Sequence, residues 1–386
     1  MRSDVHAETV TDFGPGLKSV ITEVIAPAAS EVDRLGIFPR LGLDALAEAG
    51  ILGLMSLSEV GGGAGSLADA AEVVEQLAAA CGSTAMVVLM HYAAVAVLEV
   101  YGPREVREAI ARGRHVSSLA FSETGSRSHF WAPMSTATPA GNGVRLDARK
   151  SWITSAGEAD SYVWSSRPLR ADGAMTLWLV PSDTPGLATA GPFDGMGLRG
   201  NASKPVTAEG AVVAADAMLG ADGAGLDIAL SVVLPTFLVG NAAFSVGLME
   251  ALLGGAAEHL SRTRLEHLGQ TLAQQPASRT EFARLRTRAD EARAFLADTL
   301  RALNDERPDA VLRVLQVKAV ASEAASEVAD GVMRLCGGAA FRKELAVERS
   351  FRDALAARVM APTTAALRDF AGRATLGLPL FDQAGV

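Results

Sequence analysis

The order of sequence patterns along the chain limits the folds that it can adopt. Apolar residues recur at helical spacing from Leu17 to about Arg114, and again from Gly225 to about Ala371. Between them, from Val116 to Gly225, short β-branched or aromatic runs are separated by Gly-, Pro- and Asp-rich turns. This order predicts an α+β chain, mostly α, with a β unit between two helical units. We place the three domains at residues 1–115, 116–225 and 226–386.

Individual segments show the local patterns clearly. LADAAEVVEQLAAA, residues 67–80, has helical spacing, and residues 279–306 form a long amphipathic stretch with Arg and Glu opposite Phe, Leu and Ala. In the middle block, SYVWSS at 161–166 and TLWLVPS at 176–182 are typical of strands. We therefore expect an antiparallel β unit with one buried face between helical bundles.

Charge and cysteine content argue against several classes of function. A net charge of -9 and a pI near 5.3 oppose non-specific nucleic-acid binding, which depends on cationic residues that neutralise phosphates. Cys81 and Cys336 lie far apart with no C-x-x-C spacing, so we expect neither a disulfide framework nor a metal site.

The location of the protein is predicted from its apolar segments. The N-terminus MRSDVHAETVTDF lacks the apolar core of a signal peptide, and we expect no apolar run long enough to span a membrane. A reducing cytoplasm is therefore the expected setting.

Five motifs occur in an order and at spacings that are similar to those of one enzyme family. They are GILGLMSLSEVGGGAGS (50–66), LAFSETGSRSH (119–129), LDARKSWITSAGEADSYV (146–163), DGMGLRGNAS (194–203) and RLCGGAAFRKELAVERSFRDA (334–354). Together they resemble the acyl-CoA dehydrogenases over nearly the full length of the chain. The resemblance implies an N-terminal helical domain, a middle antiparallel β domain and a C-terminal four-helix bundle.

The resemblance also implies FAD as cofactor and a homodimer or homotetramer, because each adenine end is held by a second subunit in that family. A flavin needs an aromatic wall, hydrogen-bond donors and a glycine-lined approach for its phosphates. Trp152 would be the aromatic wall, although it could instead be a core aromatic residue on a strand. By resemblance the cofactor-binding residues are Phe121, Ser122, Ser128, Trp152, Thr154, Gly337, Gly338 and Thr363.

The residue that usually removes a proton in this family is missing. Seven residues after Ala354 the family usually places Glu-Gly-Thr, whose Glu is the base, whereas this chain has Ala361-Pro362-Thr363. A second family position for the Glu corresponds to the region near Thr236, where the sequence has no acid between Asp227 and Glu250. Because a methyl group cannot accept a proton, the usual chemistry lacks its base.

The identity of any replacement base remains open. Candidates are His91, within the apolar stretch VVLMHYAAVAVL, and His129, although a lone His in an apolar helix is more often a satisfied core residue. Arg127 replaces a glycine of the family pattern and adds a fixed charge that could act on the flavin or the substrate, or could face solvent. Glu123 is expected to be structural.

Three functions follow from these observations. In the first, the protein oxidises an acyl thioester on CoA or a carrier protein, with the base relocated or the oxidised bond changed. In the second, it is a flavin-dependent monooxygenase on the same fold, which needs no α-proton base. In the third, it binds flavin with little turnover. A flavin reductase or an electron-transfer flavoprotein is the corresponding redox partner.

Overall fold

The structure, a computed structural model, describes residues 13–126 and 129–381. The predictions for Arg127 and Ser128 therefore concern residues outside the described part of the chain. Helices occupy the N-terminal part, two β-sheets the middle, and long helices the C-terminal part, which confirms the predicted fold class.

The N-terminal helices pack around one apolar helix. That helix, α5, has Val, Leu and Ala on all sides and is buried along most of its length. Helix α4 begins with a capping box, in which Ser66 and Asp69 bond each other's backbone N–H groups. The helices are α1 (Gly14–Val20), α2 (Ala26–Leu35), α3 (Arg40–Glu48), α4 (Leu67–Ala80), α5 (Gly82–Tyr101) and α6 (Arg104–Ala111).

Two four-stranded sheets form the middle of the chain, in the orders β1-β4-β5-β8 and β2-β3-β7-β6. All pairings are antiparallel except that of β1 with β4, which is parallel. The strands are β1 (Ser117–Ala120), β2 (Thr136–Ala140), β3 (Gly143–Ile153), β4 (Ser161–Ser166), β5 (Thr176–Pro181), β6 (Leu187–Thr189), β7 (Lys204–Ala214) and β8 (Met218–Leu219).

The expectation of one buried face was wrong for the central strands β4 and β5. In β4, Tyr162 and Trp164 point into the core between the two sheets, whereas Val163 belongs to the core shared with the helices. Because the first sheet lies between the second sheet and the helices, both of its faces are covered.

Long helices build the C-terminal part, with α10 in contact with α8, α9, α11 and α12. Helix α8 also packs along α4 and so joins the two helical parts. The elements are α7 (Gly225–Ile228), α8 (Leu234–Arg262), the short strands β9 (Arg264–Leu265) and β10 (Gln270–Thr271), α9 (Pro276–Asn304), α10 (Ala310–Cys336), α11 (Val347–Val359) and α12 (Thr364–Thr375).

The expectation that no apolar run reaches membrane-spanning length was also wrong. The helices Gly82–Tyr101 and Gly225–Arg262 are long and apolar enough, yet 78% and 89% of their most apolar windows are buried inside the fold. They form the centre of the helical core.

Candidate functional site

Trp152 projects from the protein although it is the largest type of apolar side chain. It lies near the end of β3, where the pairing with β7 shifts register between Lys150 and Ile153. Its backbone has a φ of 58°, in the left-handed region that costs energy for a bulky residue, and 71% of the residue is exposed. Trp152 is therefore not the core residue that the alternative interpretation of the sequence predicted.

The segment that contains Phe121 and Ser122 lies directly beside Trp152. The N–H of Ser151 donates to the carbonyl of Ser122 at 2.9 Å, and the N–H of Thr124 donates to the carbonyl of Arg149 at 3.0 Å. Phe121 is buried and Ser122 half-buried. These backbone bonds bring three of the predicted cofactor residues to one edge of the β unit.

Glu123 holds the adjoining loop in place. Its carboxylate accepts the Lys150 ammonium at 2.6 Å, the N–H of Met134 at 2.7 Å and the N–H of Ser135 at 2.9 Å. Burial alone would raise the pKa of Glu123, but the charge of Lys150 and these hydrogen bonds outweigh it and lower that pKa. The carboxylate is fully engaged, as expected for a structural residue.

A row of hydroxyl groups follows Trp152. Thr154 is buried, with its hydroxyl 3.2 Å from that of Ser203. Ser155 has a φ of 60°, and its buried hydroxyl has no hydrogen-bond partner among the described residues. An exposed indole with the Thr154 hydroxyl two residues away matches what a flavin ring and its carbonyls need, so the residues present fit that group.

Ala361 and Thr363 lie in the segment between α11 and α12, residues 360–363, which we call the connector. Ala361 and Thr363 are half-buried, and the Thr363 hydroxyl caps α12 by accepting the N–H of Ala366 at 3.3 Å. The buried Lys318 donates to the carbonyls of Met360 and Pro362. Burial lowers the pKa of Lys318 to about 7.

The second family position for a base also presents no carboxylate. Thr236 is buried on α8, and its hydroxyl donates to the carbonyl of Val232 at 3.0 Å, one turn earlier in the helix. Asn241, one turn further on, donates to the sulfur of Met360 at 3.6 Å, so this helix passes beside the connector.

His91 lies inside the helical core. It is fully buried, its Nδ1 accepts the N–H of Ser117 at 3.2 Å, and its Nε2 lies 3.1 Å from the carbonyl of Leu52. Both ring nitrogens are therefore committed to the backbone, with the proton on Nε2. Burial lowers the pKa of His91 to about 4. This geometry corrects its proposed role as base and gives it the role of a satisfied core histidine.

His129 is exposed at a pocket of about 490 Å³. The pocket lies between two loops, and Arg167 donates to the carbonyl of Pro133 across its floor. The edge of Trp131 meets the His129 ring, with 4.8 Å between their centroids. The lining residues are Gly125, Ser126, His129, Trp131, Ala132, Pro133, Met134, Arg167, Pro168, Gly173 and Ala174.

Gly337 and Gly338 lie at the surface, away from Trp152 in sequence and on the end of α10. A Cβ at either position would meet no other atom within 4 Å, and Gly337 has a φ of 59°. Phe341, just beyond them, is 80% exposed. The pair lies on an open surface with an unpacked aromatic side chain beside it.

Sequence reasoning missed a junction of all three parts of the chain. Arg352 pairs with Asp33 at 2.7 Å and donates to the carbonyl of Met196, and Asp353 accepts the N–H of Leu198 at 2.6 Å. Burial raises the pKa of Asp353 to about 6. The order of the motifs DGMGLRGNAS and VERSFRDA was the available signal, but order alone does not show that two motifs touch.

Comparison with known proteins covers nearly the whole chain. Family models for the N-terminal, middle and C-terminal domains of acyl-CoA dehydrogenases match residues 11–113, 118–211 and 223–376. Each model matches one of the three structural parts, in the order found in the fold.

Two relatives extend over most of the chain. Cyclohex-1-ene-1-carbonyl-CoA dehydrogenase of Geobacter metallireducens is 27% identical, covering 93% of this chain and 96% of the relative. The mitochondrial short-chain specific acyl-CoA dehydrogenase of Homo sapiens is 27% identical, covering 85% of this chain and 80% of the relative.

Solved structures show the same fold. Butyryl-CoA dehydrogenase of Megasphaera elsdenii superimposes with a TM-score of 0.88 at 23% identity, covering 95% of this chain and 97% of that one. The prolyl acyl carrier protein oxidase AnaB superimposes with a TM-score of 0.84 at 22% identity, covering 95% and 99%. The chain belongs to the acyl-CoA dehydrogenase family.

Proposed function

We propose that the chain is an FAD-dependent oxidoreductase that acts on an acyl thioester and has no carboxylate base at position 361. The observation that carries the proposal is Trp152, a largely exposed indole held in a costly backbone conformation. Strain of this kind at the rim of a site is typical of a surface that receives a ligand.

Bound FAD would supply the acceptor for a hydride. Trp152 would cover the flat face of the ring, and the hydroxyl of Thr154 would hydrogen-bond its polar edge. Thr363 on the connector and the Phe121–Ser122 segment would complete the site. Ser128 stays a proposed contact to the pyrophosphate or the substrate arm.

Removal of a proton from the α-carbon is the step that this chain handles differently. A positioned base typically contributes a factor of about 10² to 10⁴ to such a step. The methyl group of Ala361 cannot do this. Of the two candidate histidines, His129 lies at a solvent-open pocket and His91 in the core, so we propose His129 as the replacement to test; Arg127 stays a candidate for electrostatic stabilisation.

The pocket beside His129 offers a route for the arm of the thioester. Arg167 brings a cation, and Trp131 and Met134 bring apolar surface, to one opening of about 490 Å³. A phosphopantetheine arm has both apolar methyl and methylene groups and a phosphate, which matches this lining. Relatives named for CoA substrates and a neighbour named for a carrier protein leave both carriers as candidates.

A second candidate function is a flavin-dependent monooxygenase. It is favoured by one observation, the lack of a carboxylate at both Ala361 and Thr236, because oxygen insertion needs no α-proton base. A flavin reductase would then supply reduced flavin, whereas an electron-transfer flavoprotein would accept electrons from the dehydrogenase.

We also propose that the protein assembles as a homodimer or homotetramer in the cytoplasm. The surface at Gly337 and Gly338 is open, and Phe341 exposes an aromatic ring there. A partner subunit would cover this ring and approach the adenine end of the cofactor through the two glycines.

Anaerobic titration of the purified protein with acyl-CoAs and acyl carrier proteins of graded chain length tests the function. Bleaching of the flavin by a thioester alone supports thioester oxidation. Oxygenation of the substrate that requires air, NAD(P)H and a flavin reductase would contradict thioester oxidation and support the monooxygenase. Inertness in both assays would indicate a flavin-binding protein with little turnover, and protein that binds no FAD would overturn the whole proposal.

A further inference from the structure

One lysine is buried in the helical core without an acidic partner. Lys318 lies on α10 and has no exposed surface, and no carboxylate in the described part of the chain pairs with it. Burying an ammonium without a counterion costs free energy, and such a group is found only where its N–H groups make hydrogen bonds. The acceptors of those hydrogen bonds therefore indicate what Lys318 does.

The Lys318 ammonium reaches the two carbonyls that flank Ala361. Its Nζ donates to Met360 at 2.9 Å and to Pro362 at 2.8 Å. One group therefore fixes the peptide unit between residues 360 and 361 and that between residues 362 and 363, and when the donor is charged each bond is stronger than one between neutral groups.

A second helix closes on the same place. Asn241 on α8 donates to the sulfur of Met360, and its buried Oδ1 has no hydrogen-bond partner among the described residues. The connector is thus held from α10 and contacted from α8. Its other bonds are to the helices that flank it: the Thr363 hydroxyl and carbonyl accept the N–H groups of Ala366 and Leu367, and the N–H of Met360 donates to Ala356.

We propose that Lys318 is a positioning residue of the active site: through the carbonyls of Met360 and Pro362 it holds the connector so that residue 361 and Thr363 face the flavin. The identity of the bound group as a flavin rests on the proposed function. The hydrogen bonds by which Lys318 holds the connector do not depend on it. Lys318 would then have a role in positioning the active site in addition to its packing in the helical core.

Lys318→Met tests the proposal, because methionine keeps the length of the side chain and removes its donors. Lys18→Met is the matched control, since Lys18 is exposed on α1. Hydrogen exchange of peptides covering residues 357–366 and the visible spectrum of the bound flavin are measured on the FAD-loaded proteins. We expect exchange in the connector to rise about tenfold or more, as for lost bonds to a charged group, and the flavin band to shift, with neither change in the control.

Unchanged exchange in the connector would overturn the proposal. So would a loosened connector with an unaltered flavin band, because Lys318 would then only stabilise the helices. If Lys318→Met does not fold, Lys318→Gln, which keeps a neutral donor, takes its place with the same two readouts. Protein that carries no flavin would defeat the proposed function, and the exchange measurement alone would then decide the role of Lys318.

Discussion

At the scale of the residue, Trp152 and Ala361 show two different departures from an ordinary packed fold. Trp152 exposes an apolar ring that a stable core would bury, and it does so in a backbone conformation that favours glycine. Ala361 has a methyl group where the resemblance to the family implies a carboxylate. Under the proposed function, the first would receive a flat ligand and the second would change the chemistry of that ligand.

Replacing Trp152 with alanine should weaken FAD binding by about tenfold, the size of a stacking contact between aromatic rings. Because the indole is exposed, the free energy of unfolding should change by less than about 0.5 kcal/mol. Fluorescence titration of the apoprotein with FAD measures the first, and urea unfolding the second. Leu41→Ala, at another exposed apolar residue, is the control and should leave both unchanged. An unaltered Kd for FAD in the Trp152 variant would remove this residue from the site.

At the scale of the element, spacing predicted the segments well where local pattern decides the structure. Residues 67–80 form α4, residues 161–166 form β4, and most of the stretch 279–306 lies in α9. The exposure of β4 was predicted wrongly because a helical layer covers the outer face of its sheet, and strand periodicity cannot show which other layers are present.

The environment of His91 was equally hidden from local pattern. Its apolar helix was evident from the sequence, but its two backbone partners lie 39 and 26 residues away in the chain. From the sequence alone, a histidine in an apolar helix is therefore compatible with both a catalytic and a core role. The resemblance predicts Trp152 at the cofactor site, whereas its exposure is evident only from the structure, at the irregular end of β3.

The junction at Asp353 gives a prediction on pH. Burial raises the pKa of Asp353 to about 6, above the value of about 3.9 for an unfolded chain. The folded state therefore binds the proton more tightly, and the stability from this group is full below about pH 4 and is lost as pH rises through 6. Asp353→Asn cannot ionise, so its stability relative to the wild type should rise by about 2 kcal/mol between pH 4 and pH 7.

Urea unfolding of both proteins at pH 4, 5, 6 and 7 measures this difference. A constant difference between Asp353→Asn and the wild type across the series would mean that Arg352 and Arg349 keep the Asp353 carboxylate ionised.

At the scale of the whole molecule, the sequence predicted the order of three structural parts but not how they meet. Asp33 and Arg352 pair across 319 residues of chain, and Asp353 bonds Leu198 across 155. Such contacts leave no periodic signal, because each partner alone has the pattern of an ordinary helix or loop residue.

The proposed assembly predicts that Phe341→Asp shifts the protein towards monomer. The ring is 80% exposed beside Gly337 and Gly338, and a carboxylate there would oppose burial against a second subunit. Sedimentation velocity over a range of concentrations measures the shift. Leu41→Asp, at a residue 77% exposed on the N-terminal helices, is the control and should sediment like the wild type. An unchanged oligomer in Phe341→Asp would place the subunit contact elsewhere.

The measurement that tests the account most directly is the rate at which an acyl-CoA reduces the bound flavin, without oxygen, in Ala361→Glu and in Ala361→Gln. The two side chains have nearly the same size, and only the glutamate can accept a proton. If the connector presents residue 361 to the flavin site, Ala361→Glu should be faster than Ala361→Gln by about 10² to 10⁴. Equal rates in the two FAD-loaded variants would contradict the placement of Ala361 at the position of the base.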